Sequence, residues 1–167
     1  MKKALITLSL AVLSCTPLAK ASTSQSTQSN TDKWYKTING EYAVQGLNSK
    51  TKAAVGSYAI IYKTAGVNRN VGFKLPAREC ETFKSTSTPI FTAKVNNQNI
   101  NFDEQCIAKG WSLVYPRSEA GAKFLWDAFI KSKVVSVDLG ASYDNLHYSA
   151  VGFQNATRQH FIDHDAL

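Results

Sequence analysis

No G-x-S-x-G elbow, no glycine-rich phosphate loop and no tight cluster of cysteine and histidine occurs in this chain of 167 residues. The first absence removes the strained turn that presents a hydrolase serine; Ser142 in "GASYD" lacks the second glycine. The second removes the backbone cradle for nucleotide phosphates. The third removes a structural zinc site, which needs ligands at short spacing. No repeat recurs at a fixed period, so a solenoid or propeller is excluded. Lysine and arginine outnumber acids by 19 to 12. They are spread along the chain without a basic stripe, which argues against nucleic acid.

The N-terminus supplies the first positive signal. "MKKALITLSLAVLSCTPLAKAS" has two lysines, an apolar run from Ala4 to Leu13, then small residues ending in Ala19-Lys20-Ala21. This is the layout of a bacterial secretory signal cut before Ser22. The apolar run is too short to span a bilayer, so no transmembrane segment is expected after cleavage. "VLSC" at Val12–Cys15 partly fits a lipoprotein box, which would acylate Cys15. Leu13 stands where a smaller residue is usual, so soluble export is the preferred reading. Removing residues 1–21 takes away Lys2, Lys3 and Lys20, and the charge falls from +7 to +4. The expected organisation is a signal peptide at 1–21, a flexible polar tether at 22–32 and a single β-rich domain at 33–167. The tether, rich in Ser, Thr and Gln, has no apolar area to offset its ordering entropy.

Cys80 and Cys106 remain after cleavage. An even pair in an oxidising compartment reads as a disulfide. A catalytic thiolate needs a cationic neighbour, whereas Cys106 follows Asp103 and Glu104. Closing the separation of 26 residues would stabilise the fold by about 3 kcal/mol in the chain-entropy model.

Strand patterns dominate the rest. Asn39-Gly40 between "KWYKTI" and "EYAVQGL" signals a hairpin. Ala53–Lys63 reads as a long strand with a bulge at Gly56. Residues 66–70 read as a loop, Val71–Leu75 as a strand, and Cys80–Lys84 as a short edge. "IFTAKVNNQNINF" alternates on both sides of an Asn-rich turn, with Cys106 just past the second strand. Trp111, Leu113 and Tyr115 share one face of the next strand. One helix is clear: Ser118 caps it, Glu119 sits in its first turn, and Leu125, Ala128 and Phe129 make its apolar stripe. Val134–Gly140 and Leu146–Val151 are further strands, and the tail after Gly152 opens a second short helix. The expected fold is mainly β: an antiparallel β-sandwich or bent sheet with one packed α-helix and one disulfide.

His160 and His164 have the i, i+4 spacing that puts two imidazoles on one helix face, with Asp163 between them. Phe161 stands where a zincin carries Glu, so these are weak metal candidates in a polar tail. Asp103 and Glu104 are neighbours on a strand and point to opposite faces, which prevents them from acting as a pair. No catalytic residue and no cofactor is assigned. Tyr35, Tyr62 and Tyr115 at strand ends, with Asn97 in a turn, are the candidate partner-binding residues, since outward aromatics make recognition patches.

From "FTAKVNNQ" through "FDEQC", "LVYP", the helix "AGAKFLWDAF", "VVSVDL" and "SAVGFQNA", the order of features resembles the invasion-associated locus B family of exported bacterial proteins. The resemblance covers about half the chain. It implies a β-rich, disulfide-containing periplasmic domain without a recognised active site, and a role in host association or the envelope. That family commonly carries a cysteine after the glycine at position 110, where this chain has Trp111. The reading that emerges is an exported, periplasmic or secreted, non-enzymatic binding protein whose partner is a protein at the cell envelope. The alternatives are a periplasmic inhibitor or immunity protein for a secreted enzyme, and a small zinc-dependent hydrolase using the C-terminal histidines.

Overall fold

The computed structural model describes residues 31–64, 67–82, 87–140 and 145–165. Its strands are β1 (Tyr35–Lys36), β2 (Tyr42–Asn48), β3 (Ala54–Thr64), β4 (Val67–Pro76), β5 (Ser87–Val95), β6 (Gln98–Ala108), β7 (Trp111–Pro116), β8 (Val134–Asp138) and β9 (Leu146–Ser149). Two helices, α1 (Glu119–Lys131) and α2 (Phe153–Asp165), and a 3-10 turn at Arg78–Thr82 complete it.

All pairings are antiparallel, in the order β1-β2-β3-β4-β7-β6-β5-β8-β9, and β9 returns to β2. The result is a closed eight-stranded barrel with β1 outside the ring. The mainly-β reading with a packed helix and a disulfide stands, but the sandwich is replaced by a barrel; the second helix expected after Gly152 is present as α2. Closure rests on Leu47 opposite His147 and Asn48 opposite Leu146. Gly46 makes that bend feasible. A Cβ there would lie 2.5 Å from the Ser57 hydroxyl and 2.8 Å from the Tyr148 ring. Opposite it, β3 spends residues 55–57 where β2 has one, so the irregularity expected at Gly56 is present and twists the strand pair.

Alternation sends one set of side chains inward. Phe73 on β4, Phe102 on β6 and Tyr148 on β9 meet in the middle, with Phe73 stacked on Tyr148 at 5.1 Å and 6.0 Å from Phe102. All three are fully buried. The Tyr148 hydroxyl reaches Ser57 Oγ at 3.1 Å, which satisfies a polar group that burial would otherwise penalise. Helix α1 starts where expected: Ser118 Oγ accepts from Gly121 N at 3.1 Å. Leu125, Ala128 and Phe129 enter the same core, and Asp127 pairs with Lys123 and Lys131 on the polar side at 2.8 and 3.2 Å. Both lysines hold the Asp127 carboxyl below the usual range. Trp34, Phe129 and Phe153 join α1, α2 and the N-terminal segment, and Trp34 Nε1 donates to the Ser149 carbonyl.

Three local readings change. Residues 67–70 belong to β4, because the β3–β4 hairpin is longer than its apolar part. The edge strand expected from Cys80 is absent over residues 80–82: Arg78–Thr82 coils so that Cys80 N reaches the Ala77 carbonyl, and residues 83–84 lie outside the described residues. Cys106 lies within β6, opposite Ser112. The Asn-rich turn is Asn96-Asn97, both at positive φ (46° and 67°), as a two-residue hairpin turn requires. Thr31 and Asp32, placed in the polar tether by composition, are part of the folded unit: Thr31 is buried and the Asp32 carbonyl accepts from Ser149. The readings on residues 1–30, including Cys15, lie outside the described residues.

Candidate functional site

The outer faces of β2, β3, β4 and β7 carry a second apolar cluster. Ala43, Ile60 and Leu113 form its floor, with Tyr35, Tyr58, Tyr62, Ile107 and Tyr115 packed around them. Ile60 points away from the barrel core yet is only 4 % exposed, because the rings lean over it. Gly72 lies in the middle of this face. A Cβ there would meet Leu113 Cδ1 at 2.8 Å, the Val114 carbonyl at 3.0 Å and Tyr62 Cε1 at 3.1 Å. The absent side chain lets Tyr62 lie across the sheet, 6.3 Å from the Tyr115 ring. Burial pushes the Tyr62 phenol up, and the Tyr115 phenol adds to it. Tyr62 therefore stays a neutral O–H at any physiological pH.

Tyr58 and Trp111 make the neighbouring pair, 6.2 Å apart. Lys74 extends from β4 over the Trp111 ring at 5.6 Å and reaches Glu41 at 3.4 Å. Between them lies a hollow of about 290 Å³ walled by Tyr35, Tyr58 and Trp111, with Thr37, Asn39, Glu41 and Lys74 as its polar groups. A second hollow of about 380 Å³ continues on the far side of Glu41 to Tyr62, Lys63 and Asp163. The turn between β1 and β2 overhangs both.

That turn is fixed from two directions. Thr37 N donates to the Glu41 carbonyl at 2.7 Å and Gly40 N to the Thr37 carbonyl at 3.0 Å, with Gly40 at φ 84°. From α2, Asp163 accepts from Lys36 Nζ at 2.7 Å and from the Tyr42 hydroxyl at 2.8 Å. The hydrogen bond to Asp163 raises the Lys36 ammonium, and burial together with Asp163 raises the Tyr42 phenol. The disulfide fixes the opposite wall. Cys80 and Cys106 are bonded, and the same corner exchanges Ala77 N to the Gly110 carbonyl and Gly110 N to the Cys80 carbonyl. Trp111 follows directly in sequence, so the staple holds the ring that closes the hollow.

Of the residues named from sequence, Tyr35, Tyr62 and Tyr115 come together on this face. Asn97 does not: it lies at the β5–β6 turn, beside a polar hollow with Lys94, Asp138 and His147. Tyr58, Trp111, Lys74 and Glu41 were missed, although the shared face of Trp111, Leu113 and Tyr115 carried a usable signal. His160 is buried against the Tyr42 ring, and Asp163 is engaged by Lys36 and Tyr42. The side chain of His164 lies outside the described residues. Among the described residues, no three His, Cys, Asp or Glu side chains converge to hold a metal ion. Asp103 is held by Arg117 at 2.7 Å. No helix among the described residues is long and apolar enough to cross a membrane.

No family model, no curated protein and no solved structure matches this chain.

Proposed function

We propose that this is an exported binding protein of the bacterial envelope, without catalytic activity, that docks a partner protein on the outer aromatic face of its barrel. The observation that carries the reading is the clustering of Tyr35, Tyr58, Tyr62 and Tyr115 over Ala43, Ile60 and Leu113 on the side of the sheet away from the core. Rigid aromatic side chains lose little entropy on binding and present both an apolar body and a polar tip, which is why they recur at interface centres. A purely structural outer face needs no such concentration. The signal-like N-terminus and the disulfide agree with an oxidising compartment, and the likeness to the invasion-associated locus B family agrees with an envelope or host-facing role.

Affinity capture from envelope extract tests this. The wild-type chain is expected to retain a partner that Trp111→Ala releases, with the melting temperature of both proteins compared to exclude unfolding. Retention unchanged by Trp111→Ala would place binding elsewhere. An inhibitor or immunity role differs in one respect: the partner recovered would be an enzyme whose activity falls on binding.

A further inference from the structure

The chemistry of the partner can be read from what surrounds the aromatic face, and this inference rests on that face being the docking site. Ile38 stands at the tip of the overhanging turn and is as exposed as an isolated residue, at 102 %. An isolated surface isoleucine is unremarkable. This one stands at the turn that overhangs two adjoining hollows of about 290 and 380 Å³, so an apolar knob is offered beside a trough that combines aromatic walls with charged groups.

The charges along this strip have a definite surplus. Lys36, Lys63 and Lys74 face Glu41 and Asp163. Asp163 is taken by Lys36 and Glu41 by Lys74. Lys63, exposed at the end of β3, has no carboxylate partner among the described residues. The phenol of Tyr62, kept protonated, adds an O–H that can donate to a carboxylate. We propose that this strip docks an acidic segment of a partner protein, in which a carboxylate sits beside an apolar residue. Lys63 meets the carboxylate, and Ile38 with the aromatic hollow receives the apolar side chain. The chain's overall charge of +7, or +4 without residues 1–21, pulls in the same direction and accelerates encounter with an acidic partner. A second copy of this chain meets the opposite condition, since it brings the same positive surplus.

Panning a random peptide library displayed on phage against the immobilised chain, followed by fluorescence titration of the enriched peptides, tests this. Enriched sequences should pair Asp or Glu with an apolar residue. Lys63→Glu and Ile38→Ser should each weaken them about tenfold, the loss expected for one exposed charge contact or one anchor side chain. Both positions are exposed, so the melting temperature should not move. Raising the salt to several times the physiological level should weaken binding further. Enrichment of basic or uncharged peptides that Trp111→Ala still releases would overturn the acidic partner while leaving the aromatic face in place. No enrichment, binding indifferent to both substitutions, or sedimentation showing a dimer that Ile38→Ser dissociates would each overturn the inference.

Discussion

Single residues decide two features of this molecule, and both are glycines. At Gly46 the inward side chain of Tyr148 passes so close to β2 that a methyl group would meet it at 2.8 Å and the Ser57 hydroxyl at 2.5 Å. Gly46→Ala is expected to destabilise the barrel by about 2 kcal/mol, the usual scale for overpacking a core, measured by chemical denaturation. Gly72 does the same on the outside. Gly72→Ala should displace the Tyr62 ring and shift the aromatic proton resonances of Tyr62 and Tyr115, with those of Phe102 unmoved. Neither glycine announces its role in sequence. Each sits inside a strand pattern, where glycine reads as a weakness until the ring that crosses it is known. The turn residues are different. Gly40 and Asn96-Asn97 were legible because left-handed backbone is a local demand that only a few residue types meet cheaply.

At the scale of elements, alternation and capping carried most of the reading. Helix α1 begins at its predicted cap because Ser118 meets a local need for an N–H acceptor. The errors came where local pattern gave way to long-range contact. Arg78–Thr82 coils instead of extending, since Cys80 has to turn its sulfur toward Cys106. Removing that bond with Cys80→Ala and Cys106→Ala should cost about 3 kcal/mol, and the Trp111 indole should gain mobility because its anchoring corner is released. Helix α2 is longer than its weak apolar pattern implied: Phe153 and Ala156 anchor its start in the core, and Asp163 ties its far end to Tyr42 and Lys36. Asp163→Asn is expected to speed amide hydrogen exchange at Thr37 and Gly40, with exchange in β4 unchanged.

For the whole molecule, closure and the aromatic face depend on strand order, which no local signal encodes. Tyr62 and Tyr115 are neighbours only because β4 pairs with β7, and the ring closes only because β9 reaches back to β2 across about a hundred residues of chain. His147, at that seam, offers a pH test of closure. Burial lowers its imidazole below the ordinary value of 6.5, and Lys52 at 3.4 Å adds repulsion. A base with a lowered folded-state value contributes stability above its unfolded value and loses it as the pH falls through the folded one. Wild-type stability should therefore decline in mild acid more steeply than that of His147→Gln, compared by denaturation from pH 7.5 down to 5.

The proposed function depends on which surface meets the partner, and the three tryptophans report on it separately. Trp34 is buried in the core with its indole N–H on the Ser149 carbonyl, Trp126 packs on Phe153 beside the helices, and Trp111 alone edges the aromatic hollow. An indole N–H spectrum of the ¹⁵N-labelled protein, recorded as the partner captured from envelope extract is added, should show the Trp111 signal moving while those of Trp34 and Trp126 stay in place. A Trp111 signal that stays fixed while the partner binds would contradict the assignment of this face.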